Sequence, residues 1–119
     1  DGLDEISLLG KTRINELKDG RITTFEIVPE DFGMKSCTLE EIKTGTPEEN
    51  AKTILGVFSG EITGPRRNAI VLNAAGALKV GGKATSFEEG ILIAGNLIDS
   101  GAAYEKLNQL KEMSNSFLK

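Results

Sequence analysis

The sequence predicts an α+β chain: one antiparallel β-hairpin followed by about four helices. Three observations carry this. A strand-like segment folds about Asp19-Gly20, helical spacing takes over at Thr46, and proline and glycine boundaries at Pro47, Gly60, Pro65 and Gly81-Gly82 cut the remainder into helix-sized pieces. At 119 residues, 39% apolar and 27% charged, the chain fits one domain with a modest core and is too hydrophobic for a disordered segment.

The hairpin comes first. Ile14 and Leu17 approach Asp19-Gly20, and Ile22, Phe25, Ile27 and Val28 leave it; an Asp-Gly pair is a preferred two-residue hairpin turn. The strands are expected at about 12–18 and 21–28. Pro29 ends the ladder because it has no N–H to donate, and "LEEI" at 39–42 has room for one helical turn. At Thr46-Pro47-Glu48-Glu49 a hydroxyl stands at the N-cap, proline at the first helical position and glutamate three residues after the cap, which is a capping box. Ala51, Ile54, Leu55 and Phe58 then share one predicted apolar face, and Gly60 stops the helix. A helix opening at Pro65 contains "AIVLNAAGALKV", apolar nearly all round and so expected to be enclosed on several sides. Ser86 and Glu89 repeat the capping box ahead of "FEEGILIAGNLIDSG". Leu107, Leu110, Met113 and Phe117 mark a last amphipathic helix fraying towards Lys119. No internal repeat and no low-complexity stretch is present.

Composition excludes several chemistries. The chain has no histidine, so histidine-based triads and most zinc sites lose their base or ligand, and any chemistry must run on carboxylates, hydroxyls, lysines or a hard, oxygen-liganded metal. The single Cys37 excludes an internal disulfide, fits a reducing compartment and has no histidine to activate it. Net charge −4 with a pI near 4.9 argues against a nucleic-acid partner. No apolar run is long enough to span a bilayer and no signal peptide is visible, so a cytoplasmic location is expected.

Two features point outside the chain. A two-stranded ribbon is marginal unless it packs on something larger, and one hairpin with four helices offers the helix through Ile70 to Val80 too few partners. Gly76, Gly90 and Gly95 interrupt helices at a cost in propensity, which close approach of another backbone or simply loose local packing would explain equally well. The chain is therefore expected to be incomplete. On residues alone, the acidic start "DGLDE" reads as a solvated end.

In order and spacing, "DGLDEIS", "PEDFG", "ENAKTIL", "GPRRNAIVLNAAGAL" and "EGILIAGNLIDSGAAYEKLNQL" closely resemble the C-terminal part of the anthranilate phosphoribosyltransferase family. The resemblance spans essentially the whole chain. It implies an α/β fold of the nucleoside phosphorylase and phosphoribosyltransferase type, with residues 1–119 forming the C-terminal part of the α/β domain. The helical N-terminal domain and the glycine-rich phosphate loop would lie outside these residues. It also implies an enzyme of tryptophan biosynthesis that transfers the phosphoribosyl group of phosphoribosyl pyrophosphate to anthranilate, releasing pyrophosphate, with Mg2+ and as a homodimer. The family's metal-binding acidic pair falls on Asp4 and Glu5; Asp1 takes a supporting place, and Gly2 lets the loop turn. No residue of this stretch is expected to be a catalytic acid, base or nucleophile, and the substrate-binding residues are expected on the missing N-terminal portion.

With the resemblance, the metal reading of "DGLDE" leads. Arg66 and Arg67 look like a phosphate clamp but are expected to be solvated first-turn residues, and Glu30-Asp31 a loop cap. The chain departs from the family's tendency at Lys11, where proline is usual, and at Asn68, where aspartate is. Two alternatives stay open: a related pyrimidine nucleoside phosphorylase, against which the acidic pair argues, and a non-catalytic interaction module, if the 119 residues are the natural product.

Overall fold

The computed structural model describes residues 1–118. Strands β1 (Thr12–Lys18) and β2 (Arg21–Ile27) pair antiparallel, with Lys18 opposite Arg21 and Thr12 opposite Ile27. Asp19 and Gly20 both take positive φ, 50° and 74°, which is the type I′ turn that matches the twist of the strands. The ladder stops at Ile27, one residue before its expected end. The Val28 N–H turns aside to Asp31 Oδ2 at 2.9 Å, and Pro29 opens a 3₁₀ turn over Pro29–Phe32.

The two apolar residues of β1 part company. Ile14 lies opposite Phe25 on the face that packs against the core, whereas Leu17 and Ile22, also partners, are 71% and 73% exposed on the other face. Positions 14 and 17 have opposite parity in a strand, so they cannot share a face. The outer face is otherwise polar, carrying an Asn15–Thr24 hydrogen bond of 2.7 Å and, at its base, a Lys11–Glu26 ion pair of 2.9 Å.

Five helices follow: α1 (Leu39–Ile42), α2 (Pro47–Phe58), α3 (Pro65–Val80), α4 (Phe87–Asp99) and α5 (Ala102–Ser116). The capping box of α2 forms as expected, with Thr46 Oγ1 accepting from Glu49 N and Glu49 Oε2 from Thr46 N. At α4 the box slips by one residue. Ser86 Oγ accepts from Glu89 N at 3.1 Å, but Glu89 Oε2 accepts from the N–H and hydroxyl of Thr85, each at 2.7 Å.

Helices α3 and α4 are the centre of the molecule. Val71, Leu72 and Ala75 of α3 and Phe87, Ala94 and Ile98 of α4 are buried, together with Leu8, Val57 and Met34 from neighbouring segments. Gly90 makes the crossing possible. A Cβ there would lie 2.8 Å from Ala75 Cα, so its bare backbone rests on α3, while Gly95 has only an ordinary neighbour in Arg67. Of the two explanations open for these glycines, close backbone approach holds at Gly90, inside this chain. α3 is half-buried or buried along most of its length, but Ala77 and the end at Val80 face solvent.

The buried side of α2 is the expected one only in part. Gly56 and Val57 are buried, Leu55 and Phe58 of the expected face are half-buried, as are Asn50 and Thr53, and Phe58 packs on the core, while Ala51 and Ile54 are exposed. Ile54 and Phe58 instead line an apolar groove of about 580 Å³ with Leu97, Leu107 and Leu110. Leu110, Met113 and Phe117 of the α5 stripe are exposed, and the fraying expected at Lys119 lies outside the described residues. The chain is drawn out accordingly: its radius of gyration is 15.5 Å, against about 13.5 Å for a compact domain of this length.

Candidate functional site

Residues 1–9 carry no regular secondary structure and are fixed by tethers at the turn, at Ser7, at Leu8 and at Ile6. Gly2 takes φ 84°, turning the chain so that Asp1 Oδ1 accepts from Leu3 N at 3.0 Å. The other oxygen of Asp1 accepts from the hydroxyl of buried Ser7. Ser7 N donates to Thr12 Oγ1 at 3.0 Å and its Oγ accepts from Leu9 N at 2.9 Å, which joins the loop to the start of β1. Leu8, 1% exposed, anchors the loop in the core, and its carbonyl accepts from Cys37 N at 2.9 Å. The last tether is Asn73 of α3: its Oδ1 accepts from Ile6 N at 2.8 Å and its Nδ2 donates to Ile6 O at 2.9 Å.

Asp4 and Glu5 stand on this held loop with their side chains exposed. Among the described residues they form no ion pair and accept no hydrogen bond, so their oxygens are available. Both open onto a cleft of about 470 Å³ between β1 and α3, whose walls include Asn73, Gly76 and the ion-paired Glu16 and Lys79. Asp1 differs, because both of its oxygens already serve the loop's own turn.

Among the described residues no group of three His, Cys, Asp or Glu side chains comes together, so Asp4 and Glu5 offer two carboxylates and no closed set of side-chain ligands. Magnesium needs less, since it is commonly held by one or two carboxylates and keeps waters and substrate phosphate oxygens for its other positions. Asp4 and Glu5 supply that much.

The remaining candidates resolve differently. Glu30 Oε1 accepts from Ser36 Oγ at 2.6 Å and from Ser36 N at 2.9 Å, while Asp31 is committed to Val28 N; the Ser36 hydroxyl and amide hold Glu30 below the usual carboxylate range. These two acids therefore close a loop. Arg66 and Arg67 are not the solvated residues expected. Arg66 donates to the carbonyls of Glu41 and Lys43, at 3.3 and 3.2 Å, and Arg67 forks onto Asp99 at 3.0 and 3.2 Å, tying the start of α3 to α1 and to the end of α4. A guanidinium has five donors in a planar fork, so a half-buried arginine is easily drawn to carbonyls and carboxylates. Cys37 is half-buried, and burial and then the Glu41 charge push its thiol up, away from the thiolate a nucleophile needs. Asn73, Ser7 and Thr12 escape a reading of the sequence; the signal for Asn73 is a lone amide inside an apolar helix, where a buried polar group must find a partner.

Comparison with known proteins gives these features a setting. The model of the glycosyl transferase family, a/b domain, matches residues 1–104, and the chain belongs to that family. Within it the chain is similar to enzymes named anthranilate phosphoribosyltransferase. That of Methanobrevibacter smithii is 51% identical over 116 residues, covering 98% of this chain and 34% of the relative. The crystal structure of the Thermus thermophilus enzyme superposes with a TM-score of 0.81 at 36% identity, over 92% of this chain and 32% of that one. The Saccharomyces cerevisiae enzyme in complex with 4-fluoroanthranilate gives 0.86 at 29% identity, over 98% and 34%. The same yeast enzyme in complex with PRPP and Mg gives 0.80 at 30%, over 90% and 31%. The chain thus spans about one third of the length of the relatives it matches.

Proposed function

We propose that the intact protein is an anthranilate phosphoribosyltransferase of tryptophan biosynthesis and that residues 1–119 are the C-terminal part of its phosphoribosyltransferase α/β domain. The observation that carries this is similarity over 98% of the chain, at 51% identity, to an enzyme of that name. The exposed surface supports the division. At 8220 Å² it exceeds by roughly 2000 Å² what a compact monomer of 12.7 kDa presents, and the outer face of the hairpin, the α2–α5 groove and Val80 are where apolar side chains await cover.

In this reading Asp4 and Glu5 hold a hydrated magnesium ion at the mouth of the cleft. That ion, when bound, neutralises charge growing on the departing pyrophosphate. The loop's tethers keep the two carboxylates in place, and the cradle for the phosphates and the residues that position anthranilate come from the preceding portion. Its partners are accordingly phosphoribosyl pyrophosphate, anthranilate, the rest of the same protein and a second copy in a homodimer. A cytoplasmic setting suits those substrates, and among the described residues no helix is long and apolar enough to cross a membrane.

Anthranilate is fluorescent, so its consumption by the intact protein with phosphoribosyl pyrophosphate and magnesium tests the reading directly. Turnover is expected from the intact protein and none from residues 1–119 alone, because carboxylates without a phosphate cradle cannot orient the ribose for attack. If the intact protein leaves anthranilate untouched and instead cleaves a pyrimidine nucleoside with phosphate, the proposal is wrong. Turnover by residues 1–119 alone overturns the division.

A further inference from the structure

We infer that Asn73 of α3 is the anchor that sets the position of the Asp4-Glu5 carboxylates, so that helix α3 acts as a positioning element for the metal loop. This rests on the metal reading of Asp4 and Glu5. The anchor grips Ile6, the residue that immediately follows the pair, in two ways. The Asn73 side-chain amide pairs with both the N–H and the carbonyl of Ile6, at 2.8 and 2.9 Å, as a neighbouring strand would. Its Nδ2 also donates to Ala69 O one turn back, at 3.0 Å, so the amide is held in one orientation by its own helix. One turn further along, the Ile6 side chain sits over Gly76, where an added Cβ would come within 2.8 Å of Ile6 Cδ1. That Cδ1 is the far end of a flexible side chain, so the firm hold on residue 6 is the backbone pairing with Asn73.

The consequence follows from connectivity. The N–H that Asn73 captures belongs to the peptide joining Glu5 to Ile6, so the hydrogen bond fixes Glu5 directly and Asp4 through one further residue. Asp4 and Glu5 accept no stabilising bond of their own among the described residues, and the next tether upstream is the Asp1 turn. Without Asn73 the pair would sample many separations, and a cation that needs both carboxylates would lose affinity. Partners bonded to metal ligands commonly contribute about 10–100-fold in affinity, and Asn73, which touches the backbone beside the ligands and not the carboxylates, is expected at the low end of that range.

The test uses the intact protein and manganese as a spectroscopic stand-in for magnesium, with pyrophosphate present. Asn73→Leu keeps the branched shape and removes both bonds to Ile6. Manganese affinity measured by electron paramagnetic resonance should fall about tenfold or more, the Ile6 amide should exchange with solvent faster, and KM for anthranilate should stay within about twofold. Asn73→Ala, which leaves room for water at the freed Ile6 groups, should weaken manganese binding likewise and carries the test if Asn73→Leu does not fold. Wild-type manganese affinity in whichever of these variants folds overturns the anchor. A control separates the two readings: if Asp4→Asn with Glu5→Gln leaves manganese binding intact, the metal reading fails and the anchor's role falls with it, whereas a lost signal there and an unchanged one in Asn73→Leu condemns the anchor alone.

Discussion

Two acidic loops of this chain invite comparison, residues 1–7 and residues 29–41. The first has no regular structure and the second includes the 3₁₀ turn and most of α1; both carry several carboxylates, but they use most of them in opposite ways. In the second loop Glu30, Asp31 and Glu41 each accept from backbone N–H groups, at 2.9, 2.9 and 2.8 Å, so their charge is spent on holding the chain. In the first loop neutral groups do the holding, through Ser7, Thr12, Leu8 and Asn73, with Asp1 the one acid employed. Asp4 and Glu5 are left over. In the second segment Glu40 is likewise exposed and without a hydrogen bond or ion pair among the described residues, so what sets Asp4 and Glu5 apart is that two such acids stand side by side, and charge density alone does not distinguish the two loops.

On the proposed function, the comparison breaks most visibly in the intact protein. Asp4→Asn with Glu5→Gln keeps the loop's shape and removes two charges. Turnover should fall on the order of 100-fold or more, with a higher magnesium requirement and little change at the anthranilate site. Unfolding free energy should move by no more than about 0.5 kcal/mol. Steady-state rates across a magnesium titration, beside a denaturant melt, measure both; wild-type rate and magnesium dependence would show the pair to be an ordinary acidic surface.

The mirror experiment is Asp31→Ala. It should lower stability by about 0.5–2 kcal/mol, the usual range for a lost cap, and leave the magnesium requirement unchanged. An altered magnesium dependence would place the second loop in the site.

A smaller effect should appear with acid. Glu41 and Glu89 are held below their ordinary value of 4.5 by the N–H and then the hydroxyl of Thr38 and Thr85 respectively, and Glu30 by the hydroxyl and N–H of Ser36. A carboxylate depressed in the folded state stabilises fully above its unfolded value and loses that contribution as pH falls through its folded one. Urea midpoints should therefore decline below about pH 4.5, and Glu89→Gln should flatten the decline. The smallest effect concerns Cys37. With its thiol pushed up by burial and by Glu41, it should react with a disulfide reagent at pH 8 more slowly in the folded chain than in urea.

Local chemistry accounts for what is legible in the sequence. Asp19-Gly20 set the hairpin and its register, and Thr46, Pro47 and Glu49 set the start of α2, because each signal lies within four residues of what it specifies. The sequence misleads where a partner is distant. The buried side of α2 depends on what packs against it, so apolar Ile54 faces a groove while Thr53 turns inward. Arg66 and Arg67 look solvated in the sequence because their partners, Glu41, Lys43 and Asp99, lie 23 to 32 residues away. The Asp4-Glu5 pair is singled out in the sequence by family resemblance alone, and the structure adds how its neighbours hold the loop that carries it.

The Asn73–Ile6 pairing has a consequence in time as well as in space. It joins residues 67 apart in the chain, and closing a loop of that length costs about 4 kcal/mol of chain entropy before any contact repays it. The hairpin and the α3–α4 pair close far shorter loops, and hairpins of this kind form within about 1–10 μs. We therefore expect the Ile6 amide to gain protection after the hairpin and helical amides when refolding of the intact protein is followed by pulsed hydrogen exchange, and early protection there would refute this order. A chain still folding would then present Asp4 and Glu5 as two loose charges, and a competent pair of carboxylates would mark the completion of folding.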